Sequence, residues 1–179
     1  MGKQFVSIDS ATQVFIENQK LFFVATAGSG KVNLSPKGMD TLRILDSNRV
    51  VWLNLTGSGN ETAAHLLEYN RITLMFCAFE GKPNIIRLYG KANVYHHNDP
   101  QWNELIHLFP KLPGSRQIID VQVELVQSSC GMSVPFMAYQ AEREDLKHWT
   151  EKQGEDRIRE YWERKNAVSL DGKPSGISL

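Results

Sequence analysis

The chain has 179 residues, 41% of them hydrophobic, and its 20 Lys and Arg are balanced by 20 Asp and Glu. That length suits one domain with one core, and a formal charge of zero gives no broad attraction to nucleic acid or an acidic membrane surface. Two cysteines, Cys77 and Cys130, make no disulfide framework, and neither an apolar leader nor a membrane-spanning apolar run is present, so a cytoplasmic protein with a small-molecule partner is expected.

In chain order, Ser10 followed by Gln13 three places on reads as a capping box opening a short amphipathic helix with Val14 and Phe15. Residues 21–26 are a strongly apolar β run that Gly28-Ser29-Gly30 turns back into residues 31–35 as a hairpin. Gly28 to Lys31 is not a nucleotide-binding P-loop, which needs a glycine where Ala25 stands and Ser or Thr where Val32 stands. Pro36-Lys37-Gly38 reads as a turn, followed by short strands at 42–45 and 50–55. After a helix near 63–67, the runs 72–79 and 85–95 form another hairpin, with Gly90 marking a bulge. Asp99-Pro100 starts a helix with Trp102, Leu105, Ile106 and Phe109 on one face. From Ile119 an alternation predicts a strand wet on one side, and residues 128–135 read as a loop. The charged tail from about Ala141 is helical, with Ile158, Tyr161 and Trp162 as its buried stripe. These elements predict a mainly β protein: a six- to seven-stranded antiparallel barrel, closed or split, with an inserted helix and a C-terminal helical tail.

The stretch most suggestive of chemistry is the corner at Thr56, Gly57, Ser58, Gly59, Asn60, Glu61 and Thr62, where a strand hands over to a helix. Helix-terminal amides, hydroxyls and glycines that admit close approach suit a phosphate, and the helix dipole favours an anion at the same place. The same residues also make ordinary loops, with Asn60 as a plain N-cap. Lys37 reads equally as a solvated turn lysine, and Arg87 as an ion-paired structural group or a ligand contact. No His or Cys cluster predicts a metal site, and Cys130 has no evident activating partner.

The order of parts, carried by Val32-Asn33-Leu34-Ser35-Pro36-Lys37-Gly38, the glycine-rich corner and Ile86-Arg87-Leu88-Tyr89-Gly90-Lys91-Ala92, resembles the pyridoxamine 5′-phosphate oxidase-like, FMN-binding split barrels over residues 10–127. The S-C-G-x-x-V-P segment at Ser129 and Y-W-E-R-K-N at Tyr161 are similar to those of an uncharacterised bacterial branch of that family. The resemblance implies a single FMN-binding split-barrel domain over residues 1–179, with a helical extension from about 141. It also implies an FMN cofactor, a homodimer with flavin sites at its interface, and oxidoreductase activity on an unknown small molecule. Asn33, Ser35, Pro36 and Lys37 would line the ring and ribityl chain, with Lys37 a further candidate to reach the phosphate. Asn54 and Thr56 would lie beside the flavin, and Ser58, Gly59, Asn60 and Thr62 would cradle the phosphate. Ser128, Ser129 and Gly131 would touch the flavin of the other subunit. The oxidases place Arg-Lys where this chain has Thr62-Ala63; two lost charge-assisted contacts weaken binding about 100-fold or more unless replaced. The pyridoxal-phosphate substrate residues of those oxidases have no clear match in this chain either, so vitamin B6 oxidation is not assigned, and no catalytic residue is named. The alternatives are a non-catalytic flavin-binding or sensing module, or a binder of deazaflavin or haem.

Overall fold

A computed structural model describes residues 2–178 of the chain. Its strands are β1 (Lys3–Phe5), β2 (Phe22–Ala27), β3 (Val32–Lys37), β4 (Leu42–Asp46), β5 (Arg49–Leu55), β6 (Ile72–Cys77), β7 (Ile85–Tyr95) and β8 (Ser115–Ser129). Its helices are α1 (Ser10–Glu17), α2 (Glu61–Glu68), α3 (Pro100–Leu105), α4 (Asp145–Gln153) and α5 (Glu155–Lys165). The strands form one antiparallel sheet in the order β3-β2-β6-β7-β8-β5-β4, with β1 lying against β8. The end strands β3 and β4 do not pair, so the expected mainly β split barrel is present, open along one seam and with eight strands rather than six or seven. The extra strand is β1, three exposed residues held by backbone pairing alone, with no alternation in sequence to announce it.

Alternate residues of β5 and β8 point to opposite faces and build two cores. Val50, Trp52, Ile119 and Val121 fill the barrel with Leu74 and Leu88, while Val51, Leu53 and Ile118 pack against Trp102, Leu105 and Phe109 of α3 and its following turn. The expectation that β8 is wet on one side holds only beyond Val121. Gln122 and Glu124 are exposed, but Asp120 is buried and bound by Arg49 at 2.7 Å, because α3 covers that face at the start of the strand. The strand also runs further than expected at both ends, so Ser128 and Ser129 are paired with β1 and β7 rather than looped.

Three local readings are corrected. Asp9, not Ser10, is the N-cap of α1, its carboxylate accepting from the Thr12 amide at 2.7 Å, while Gln13 donates to Glu17 instead of closing a capping box. Pro36 and Lys37 belong to β3 rather than to a turn; β3 is an edge strand, where a missing ladder donor is tolerated. The tail is two helices broken at Gly154, where φ is +75°. Ile158 and Trp162 are buried as expected, but Tyr161 is half-buried and packs edge-on against Trp149. The bulge expected at Gly90 is present, with the β7–β8 register shifting between Tyr89 and Gly90. Among the described residues no helix is long and apolar enough to cross a membrane.

Candidate functional site

The ten residues assigned to a cofactor from sequence all line one groove of about 800 Å³. Three segments form it: Asn33, Ser35, Pro36 and Lys37 of β3, Asn54 and Thr56 where β5 ends, and the corner 57–62 leading into α2. Asn33 lies beside the corner, its Nδ2 donating to the Thr62 hydroxyl at 3.2 Å and to the Thr26 hydroxyl at 3.3 Å. The Thr26 hydroxyl in turn meets His65 Nδ1 at 3.1 Å, which uses that histidine inside the fold. Asn54 donates to Gln117 Oε1 at 3.2 Å, and the Thr56 hydroxyl donates to the Gly114 carbonyl at 2.7 Å while accepting from Trp162 Nε1 at 2.9 Å. Trp162 is thus a core residue that steadies the corner.

Asn60 stands at the N-cap of α2, but its side chain does not cap the helix. Its Nδ2 donates to the Asn166 carbonyl at 3.2 Å, its Oδ1 is buried with no donor, and the first turn of α2 keeps its amides without a capping side chain. Such an end attracts an anion.

Two cations face this corner. Lys37 is half-buried with its ammonium 5.1 Å from the Trp52 ring centroid; burial, and then the charge of Arg116, push it down to about 8. Arg116 is 3% exposed and has no carboxylate in contact among the described residues. Its Nη1 donates to the Gly59 carbonyl at 3.0 Å and to Asn166 Oδ1 at 2.6 Å, its Nε–H has no acceptor, and burial lowers it to about 10. A buried, unneutralised guanidinium is costly unless an anion joins it.

The backbone explains why Arg116 reaches the corner. Asn54 pairs with Gln117 and Leu55 with Ser115, so Arg116 is the extra residue of a bulge, and a bulge re-aims its side chain away from strict alternation. The sequence reading missed it for that reason. It also named no groove residue in the tail: Arg164, Lys165, Val168, Ser169 and Leu170 of the same chain line the groove, whose only acidic lining residue among the described residues is Glu61, held by the Leu170 amide. Arg116 supplies a cation that the Thr62-Ala63 departure removed. By contrast, Ser128, Ser129, Gly131 and Cys130 lie outside this groove, and Arg87 donates to Ser129 Oγ at 3.0 Å.

These features define an open antiparallel barrel with a cationic groove at a strand-to-helix corner. The family model described as pyridoxamine 5′-phosphate oxidase matches residues 8–130, and the chain belongs to that family. A curated relative, the pyridoxamine 5′-phosphate oxidase family protein ustO of Aspergillus flavus, is 33% identical over 177 residues, covering 87% of this chain and 70% of the relative. Among solved structures, a histidine-to-alanine variant of HupZ from Group A Streptococcus superposes with a TM-score of 0.53 at 19% identity, over 68% of this chain and 99% of that one. HutZ, a heme storage protein of Vibrio cholerae, superposes with a TM-score of 0.50 at 14% identity, over 70% and 97% of the two chains. At these identities the structural likeness concerns the fold.

Proposed function

We propose that the groove binds FMN, that its phosphate is held at the α2 corner, and that the protein is an FMN-dependent oxidoreductase acting on a small molecule. The observation that carries this reading is Arg116, buried, unneutralised and with a spare N–H, beside a helix end that no side chain caps. Ser58, Gly59, Asn60 and Thr62 take the phosphate with Arg116. Asn33, Ser35, Pro36 and Lys37, with Asn54 and Thr56, take the ribityl chain and ring, and the Lys37 ammonium also reaches the phosphate. Bound FMN supplies the redox chemistry; the chain contributes orientation, charge and a wall against water. Among the described residues the groove lining offers four basic side chains, one thioether (Met39) and no His, Cys or Tyr, a donor set in which cations for a phosphorylated ligand outnumber ligands for haem iron. Denaturing the protein as isolated and weighing the released small molecule tests the reading: FMN supports it, while haem, a deazaflavin or failure to take up added FMN overturns it. Reduction of the bound flavin by NADH or NADPH, with a saturable second substrate, separates an enzyme from a non-catalytic module.

A homodimer belongs to the same proposal. Edge strand β3 turns Val32 and Leu34 outward at 74% and 64% exposure, an unpaired apolar edge of the kind that is normally covered. A monomer by solution scattering at micromolar concentration overturns that part.

Lys37 gives the site a pH dependence. Its ammonium holds its proton below about pH 8 and loses it above, so an anionic ligand beside it binds best below that value. From pH 7 to 9.5 the FMN affinity of the wild type falls by about tenfold, the effect of losing roughly one charge-assisted contact, and Lys37→Met flattens the profile. Titration of flavin fluorescence across that range measures both curves.

A further inference from the structure

Among the described residues Arg116 is held by neutral acceptors only, the Gly59 carbonyl and the side-chain oxygen of Asn166. Asn166 is fully buried at the end of α5, far from the corner in sequence. Its amide joins several parts of the corner at once: Oδ1 accepts from Arg116 at 2.6 Å, Nδ2 donates to the Gly57 carbonyl at 3.1 Å, and its backbone carbonyl accepts from Asn60 Nδ2 at 3.2 Å. The strap that follows is tied down in the same chain. Ser175 Oγ donates to the Asn166 carbonyl at 2.6 Å, the Leu170 amide donates to Glu61, and Asp171 pairs with Lys31 at 2.7 Å.

We infer that Asn166 is a positioning residue for anion binding: a neutral clasp through which the C-terminal strap of the same chain aims the Arg116 guanidinium at the corner without cancelling its charge. The physical point is the choice of amide over carboxylate. An aspartate at this place would offer Arg116 an oxygen of the same shape, but the resulting ion pair would neutralise the charge a phosphate needs. The strap is then part of the binding site, and a phosphate ligand and the docked strap stabilise each other reciprocally.

The inference rests on the reading of the corner as a phosphate site, and the test uses FMN, riboflavin and inorganic phosphate on the full chain. Asn166→Asp is expected to bind FMN about 10- to 100-fold more weakly than the wild type, with riboflavin affinity within about threefold, because the ion pair takes the charge that only the phosphate uses, whereas the lost donor to the Gly57 carbonyl bears on both flavins alike. Asn166→Ala, which loosens Arg116 without neutralising it, is expected to fall between the two. Inorganic phosphate raises the melting temperature of the wild type and not that of Asn166→Asp. A residue that only holds the fold together gives the other pattern: both flavins lose affinity alike in Asn166→Asp, and that outcome overturns the clasp. Wild-type protein that binds no flavin but is stabilised by phosphate, with that stabilisation lost in Asn166→Asp, overturns the FMN reading and leaves the clasp standing. Wild-type protein that responds to neither FMN nor phosphate overturns both.

Discussion

Arg116→Gln is expected to weaken FMN binding by about 100-fold or more while riboflavin affinity stays within about threefold, since the guanidinium contributes charge-assisted hydrogen bonds to the phosphate alone. The same substitution is expected not to lower the melting temperature of the ligand-free protein. Burial holds Arg116 down to about 10, which costs its charged form on the order of 3 kcal/mol in the fold. A neutral amide of lower desolvation cost can still donate to Asn166 Oδ1, which Arg116 now meets at 2.6 Å. Affinity and intrinsic stability therefore respond in different directions, as they do where a site keeps a strained charge for its ligand. Fluorescence titration with both flavins and thermal melting without ligand give the two readouts. Equal losses for FMN and riboflavin would place Arg116 away from the phosphate, and a ligand-free melting point lowered by many degrees would make it a structural arginine.

Much of this architecture is legible in sequence because it is written locally. The hairpin at Gly28-Ser29-Gly30, the apolar runs of β5 and β6 and the bulge at Gly90 each depend on a few adjacent residues, and all stand in the structure. The ten groove residues fall on three short stretches, β3, the end of β5 and the start of α2, and the curl of the sheet brings its β3 end and its β5-β4 end together around one groove. What could not be read depends on partners distant in the chain. The role of Arg116 follows from a register shift between β5 and β8, where Asn54 meets Gln117 and Leu55 meets Ser115, and no property of the letters Gly-Ser-Arg-Gln announces it. The strap docks through the Asn166 carbonyl and the Leu170 amide, groups every residue carries. Asp9 and Ser10 are both good caps, and the choice between them turns on which side chain meets the Thr12 amide. Pro36 looks like a turn residue until β3 is known to be an edge.

Gly90→Ala is expected to cost about 3 kcal/mol of folding stability, the upper part of the range for forcing extra atoms into a packed interior. At Gly90 the two strands cross the bulge: Tyr89 pairs with Leu125 and Gly90 with Val123, so Glu124 is the extra residue on β8. A Cβ at Gly90 would run into the Gln122 carbonyl and sit 3.2 Å from the Val123 Cα. Those atoms are backbone in the longest ladder of the sheet, so no side chain can swing aside to make room. For a domain of this size such a loss lowers the melting temperature by about 10 °C, and thermal or urea unfolding measures it. Gly57→Ala is the control for stability: an added Cβ there meets nothing nearer than the Gly59 carbonyl at 4.0 Å, so its unfolding midpoint should barely move. The one relief open to Gly90→Ala is a slip of β8 by one residue against β7. A one-residue slip exchanges the two faces of a strand, which would turn Arg116 away from the corner and bring uncharged Ser115 or Gln117 in its place. The variant is therefore expected to lose FMN affinity to whatever extent it escapes the clash by slipping. A wild-type melting point in Gly90→Ala would show that β7 and β8 do not approach each other in this register.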